Sequence, residues 1–130
     1  MVYQHPHIYI GNTAEKGRGV FTSEIITKDT LIEICPVLYL PKKDIELLKQ
    51  TVINDYYFEW GENLEGGAFA MGYGSLYNHS FEPNAYYDVD MEAHLLMVYA
   101  WTNIPSGTEI CFNYNGDPED ANELWFDTVK

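Results

Sequence analysis

Tyr77-Asn78-His79-Ser80, followed by Pro83-Asn84, is the stretch on which the reading of this chain turns. Asn-His-Ser matches the acceptor pattern for N-glycosylation. Taken alone, His79 reads as a structural histidine with its ring nitrogens satisfied, and the segment as a turn. Its meaning depends on what lies on either side.

Upstream stands Lys16-Gly17-Arg18-Gly19-Val20-Phe21. Two glycines around one residue let backbone approach a ligand closely. The run does not continue into G-x-x-G and a helix, so it is not a dinucleotide fingerprint. Downstream stands Ile104-Pro105-Ser106-Gly107-Thr108-Glu109-Ile110-Cys111-Phe112-Asn113-Tyr114, which by itself is a turn running into a strand.

The rest of the chain alternates short apolar runs with Gly, Pro and Asn. His7–Ile10, Val20–Ser23, Leu31–Leu40, Tyr56–Trp60 and Thr108–Tyr114 read as strands, and Ala85–Val89 with Leu95–Thr102 as a hairpin. Pro36 predicts that Leu31–Leu40 lies on a sheet edge or is broken. Gly66-Gly67 reads as a turn. Pro41–Gln50 predicts a helix with Pro41 at its first position and Ile45, Leu48 and Leu47 on its apolar face. A second short helix is expected after Asn115-Gly116, capped by Asp117. With no βαβ alternation, the domain is mainly β and a Rossmann-type arrangement is excluded.

In this order and at these separations the three segments resemble the SET domain. That family shows G-x-G-V-F, then N-H-S-x-x-P-N, then I-x-x-G-E-E-[IL]-x-[FY]-[DN]-Y. The resemblance covers residues 11 to 116, and Asp55-Tyr56-Tyr57-Phe58 is most similar to compact viral members. It implies a β-clip fold of short strands with one or two short helices. There, the segment carrying Asn78 and His79 and the segment ending at Tyr114 would form a pseudoknot. It implies transfer of methyl groups from S-adenosylmethionine to the side-chain amine of a protein lysine. Tyr114 would be the catalytic hydroxyl. Lys16, Gly17, Arg18, Gly19, Asn78, His79 and the tail residue Trp125 would contact S-adenosylmethionine. Tyr56 and Phe112 would line the lysine channel. No metal is called for, although Asp88-Val89-Asp90-Met91-Glu92 has acidic spacing; a solvated hairpin end is the simpler reading. The family's pre-SET and Cys-rich post-SET modules are missing, so residues 1–130 read as one SET domain. A second copy could complete the site in a homodimer, as in compact relatives.

Composition sets the remaining bounds. The chain has 130 residues and a net charge of −13. Residues 1–49 hold six acids and six bases, whereas 50–129 hold fourteen acids and no Lys or Arg. Such a field either serves solubility or attracts a basic protein substrate, and in both cases disfavours direct nucleic-acid binding, for want of cations to neutralise phosphates. Cys35 and Cys111 lie in apolar runs and read as buried free thiols. There is no apolar run of 18 residues and no signal-peptide pattern in Met1–Ile10. No membrane association and a cytoplasmic location are therefore expected, or the host nucleus for a viral or effector protein. Two other functional classes compete with the enzyme: a SET-like module that binds peptide or cofactor without turnover, and a secreted glycoprotein resting on the Asn78 sequon.

Overall fold

A computed structural model describes residues 1–60 and 65–121. Among these residues ten strands form two sheets. They are β1 (Tyr3–Gln4), β2 (Ile8–Asn12), β3 (Arg18–Thr22), β4 (Leu31–Leu40), β5 (Phe58–Trp60), β6 (Gly66–Ala70), β7 (Asn78–His79), β8 (Ala85–Asp90), β9 (Leu95–Ala100) and β10 (Glu109–Phe112). One sheet runs β5-β6-β4-β9-β8, with β1 also on β4; the other runs β2-β3-β10-β7. The one α-helix among the described residues, α1, spans Lys42–Leu48. This is the mainly β architecture the sequence implies.

The sequence motifs become one structure in the second sheet. β10 pairs antiparallel with β3 on one side and parallel with β7 on the other. Between β7 and β10 the chain leaves this sheet, makes the β8–β9 hairpin of the first sheet, and returns. The segments ending in His79 and Tyr114 are thereby laid side by side, with Cys111 opposite Asn78 and Phe112 opposite His79. Asn84 completes the arrangement as a backbone surrogate: its amide donates to the Glu109 carbonyl at 2.8 Å and accepts the Cys111 N–H at 2.9 Å. Val20, Ile32, Leu96, Val98, Ile110 and Phe112 are wholly buried between the sheets. Burying each such side chain contributes about 1.5–3 kcal/mol, so these strands hold the motifs in place.

Several local expectations are corrected. β4 is neither broken nor at an edge. Val37 N–H bonds the His94 carbonyl on the β9 side, and the Pro36 carbonyl accepts from Met71 on the other. The missing N–H of Pro36 therefore faces the gap between β1, which pairs at Glu33 and Ile34, and β6, which begins pairing at Val37. Proline costs no ladder bond where the neighbour is interrupted. Gly66-Gly67 is strand rather than turn. A Cβ on Gly66 would sit 2.9 Å from the Tyr39 ring, and one on Gly67 2.8 Å from the Tyr57 ring. The glycines admit these rings across the sheet.

Pro41 precedes α1 in an extended conformation instead of occupying its first turn, and Leu47 is 76% exposed. Tyr56 lies outside β5, at the end of a 3-10 turn over Val52–Asp55. After Gly116, Asp117 accepts the Glu119 N–H in a single turn, and no second α-helix forms among the described residues.

Candidate active site

Asn78 is the structural centre of the site. It is 2% exposed, and its side-chain nitrogen donates to the Arg18 carbonyl at 2.9 Å and to Glu109 Oε2 at 2.7 Å. Both amide hydrogens are thus taken up by the protein. A buried nitrogen so engaged cannot carry a glycan, which removes the sequon reading. The backbone of β3 reaches Asn78 because residue 19 is glycine: a Cβ there would overlap the Asn78 and Glu109 side chains. Gly17, at φ 73°, closes the preceding turn, in which Thr13 N–H bonds the Gly17 carbonyl. The glycine motif is therefore the end of the β2–β3 hairpin, shaped to receive Asn78.

His79 is buried beside it. Its Nδ1 accepts the Tyr114 N–H at 3.0 Å, and its carbonyl accepts from Lys16 Nζ at 2.8 Å. Lys16, Arg18, Tyr56, Leu76 and Asn78 line a cleft of about 90 Å3. Two cations and an amide around one cleft suit a zwitterionic amino-acid group, as the methionine moiety of S-adenosylmethionine would present. The residues present fit that group. Trp125 lies outside the described residues.

Tyr114 belongs to a cluster of rings. Its hydroxyl donates to the Tyr77 carbonyl, and its own carbonyl accepts from the Tyr87 hydroxyl at 3.1 Å. Phe112 is fully buried and packs against Tyr77 (5.1 Å between centroids), Tyr87 (5.0 Å), Tyr114 (5.9 Å) and Phe58 (6.0 Å). Burial is the first cause that holds the Tyr114 hydroxyl well above the ordinary phenol range, with Cys111, Tyr56, Glu109 and Tyr87 adding to it. Tyr87 is pushed up to about 12, again by burial first and then by Glu59. These phenols stay protonated at neutral pH, so the Tyr114 hydroxyl is neutral.

Every proposed site residue within the described chain is gathered here. Tyr56 sits on the cleft wall and acts electrostatically on Tyr114. Sequence reading assigned no role to Tyr77, Tyr87, Phe58 or Glu109. Tyr87 carried a usable signal, since it is an inward position of an alternating strand, and Phe58 stood inside the quoted aromatic segment. The acidic run at Asp88–Glu92 is a hairpin end: Asp88 accepts from Val89 and Asp90 from Ala93. Both cysteines are buried and free.

A mainly β domain that brings a buried tyrosine hydroxyl, an Asn-His pair and a cationic cleft together through two adjoining segments defines a SET-type methyltransferase site. The SET domain family model matches residues 17–115. The chain belongs to the SET-domain family of protein-lysine methyltransferases. It is 40% identical over 119 residues to a Schizosaccharomyces pombe histone-lysine N-methyltransferase specific for H3 lysine 37, covering 91% of this chain and 76% of that one. Among solved structures it resembles a Plasmodium falciparum protein described as a candidate histone methyltransferase, at 35% identity and a TM-score of 0.69, over 85% of this chain and 94% of that one. The Neurospora SET protein DIM-5, a histone lysine methyltransferase, shares the fold at a TM-score of 0.66 and 20% identity, over 96% of this chain and 56% of that one.

Proposed function

We propose that the protein transfers methyl groups from S-adenosylmethionine to a lysine of a basic, histone-like protein. The observation that carries this reading is the position of Tyr114. Its neutral hydroxyl donates to the carbonyl of Tyr77, whose chain neighbours Leu76 and Asn78 line the cationic cleft, and its ring packs against Phe112.

When bound, S-adenosylmethionine supplies an electrophilic methyl group. Lys16, Arg18 and Asn78 would hold its amino-acid portion, with the Gly17–Gly19 backbone and His79 completing the wall. The acceptor lysine has an ordinary pKa of about 10.4 and must reach the site uncharged. Rings of Phe58, Phe112, Tyr87 and Tyr114 exclude water from the amine, and desolvation disfavours its ammonium form. Tyr114 and the Tyr77 carbonyl then orient the reacting groups. Orientation of this kind needs no acid or base from the protein beyond loss of the lysine proton to solvent.

The acidic charge of residues 50–129 favours a basic acceptor. A histone-like acceptor favours work in the nucleus over the cytoplasmic location expected from sequence. The test is to incubate the protein with labelled S-adenosylmethionine and recombinant core histones, and to locate the label by mass spectrometry. Tyr114→Phe should lower turnover by about tenfold to a thousandfold, as deletion of one preorganised polar group does, with little change in cofactor affinity. Wild-type turnover in that variant would remove Tyr114 from the mechanism.

A further inference from the structure

Glu33 lies in the middle of β4 and is 2% exposed. Among the described residues no Lys or Arg lies within ion-pair distance of it. Its carboxylate is held instead by neutral donors: the Tyr77 hydroxyl at 2.8 Å, the Tyr73 N–H at 3.0 Å and Gln4 Nε2 at 3.2 Å. The turn beneath it is shaped for the purpose. Gly72 takes a left-handed conformation (φ 61°), and a Cβ there would overlap the Glu33 carboxylate. A carboxylate buried among neutral groups is costly compared with an apolar side chain, so stability alone does not account for it.

Tyr77 is what this carboxylate fixes, and Tyr77 touches the site at two points. Its carbonyl accepts the Tyr114 hydroxyl, and its ring packs 5.1 Å from Phe112. Tyr77 lies between the 3-10 turn Gly74–Leu76 and β7, outside any strand, so the anchoring of its side chain bears on how its peptide carbonyl tilts. We infer that Glu33 and the Tyr77 side chain form a strut that aims the Tyr77 carbonyl, and through it the Tyr114 hydroxyl, at the reacting groups. Both are positioning residues, and the strut reaches from β4 of the first sheet through the core to the site. The inference rests on the orienting role of Tyr114 given above.

The test separates positioning from general support. Tyr77→Phe keeps the ring and deletes the hydroxyl. With recombinant histone H3 as acceptor, kcat should fall about tenfold while the S-adenosylmethionine dissociation constant stays within about twofold. In a Tyr114→Phe background the same substitution should change kcat by less than about twofold, because residues acting as one unit are not additive. Equal losses in both backgrounds would overturn the strut.

A second arm needs no turnover. In protein labelled at tyrosine 13Cζ, the Tyr114 resonance, assigned from Tyr114→Phe, should shift in Tyr77→Phe and in Glu33→Gln. It should stay in place in Ile32→Val, a core change at the neighbouring residue. If histone H3 is not methylated but the resonance moves, the strut stands and the acceptor assignment fails. If the resonance keeps its wild-type position in folded variants, the strut is wrong even where the histone is methylated. Should Tyr77→Phe fold poorly, Glu33→Gln/Tyr77→Phe removes the charge with the hydroxyl and takes its place in both arms.

Discussion

At the scale of single residues, the candidate site fixes neutral polar atoms against rings. Phe112 shows how much depends on one oxygen. It is fully buried among Tyr77, Tyr87, Phe58 and Tyr114, and contributes no hydrogen bond of its own. In the proposed lysine channel, an amine methylated once or twice would meet no hydroxyl from residue 112. Phe112→Tyr would place a hydroxyl in that space, able to hold the amine or a water and to hinder its rotation. We expect the variant to shift products toward monomethyl-lysine. One buried hydrogen bond of about 1 kcal/mol changes a product ratio several-fold. Mass spectrometry of a methylated peptide over time decides it. A wild-type enzyme that stops at one methyl with cofactor in excess would show that Phe112 does not set the product.

At the scale of elements, the glycines of β6 distinguish admission of a ring from a turn. Gly66 and Gly67 each lie under a tyrosine, but the two rings differ in freedom. Tyr39 is 44% exposed and can swing aside, whereas Tyr57 is buried. Gly67→Ala should therefore destabilise the fold by about 1–3 kcal/mol, as overpacking does, and Gly66→Ala by less than about 1 kcal/mol. Urea unfolding of the two variants tests the order; equal losses would mean the Tyr57 ring is as free as Tyr39. The same element scale accounts for Pro36. A single strand was readable from its apolar run, but whether its neighbour is continuous is a property of other segments.

At the scale of the whole molecule, charge and buried acids set the response to solvent. Three of the seven Lys and Arg residues, Lys42, Lys43 and Lys49, lie on or beside α1, while Lys16 and Arg18 line the cleft. If the acidic remainder recruits a basic acceptor, kcat/KM on a histone should fall as salt rises from about 0.05 to 0.3 M, with cofactor affinity little changed. A flat salt profile would assign the charge to solubility alone.

Alkaline pH probes the core. Cys111 and Tyr87 are each pushed up to about 12 by burial first, from ordinary values of 9.0 and 10.0, and Tyr77 and Tyr114 move the same way. The unfolded chain would release these protons first, so the folded form binds more protons above the ordinary range. Their stabilising effect is complete below about pH 9 and is lost progressively as pH rises toward 12. Denaturant midpoints from pH 7 to 11 should be level at first and then decline. No decline up to pH 11 would mean these groups are less buried than described.

The sequence by itself determined the class of fold and the order of the three motifs, and Lys16, Gly17, Arg18, Gly19, Asn78, His79 and Tyr114 stood out through the resemblance those motifs carry together. These positions are legible because their chemistry tolerates few alternatives, and local spacing is all that the motif requires. Only the tertiary structure decided what those residues hold. Glu33 lies 44 positions from Tyr77 along the chain, and Glu109 lies 31 from Asn78. Asn84 stands in for backbone on β10, and two glycines that looked like a turn make room for tyrosines from elsewhere. Such roles belong to pairs of residues brought together by sheet register. A buried carboxylate looks in sequence like any other acid until its partners arrive.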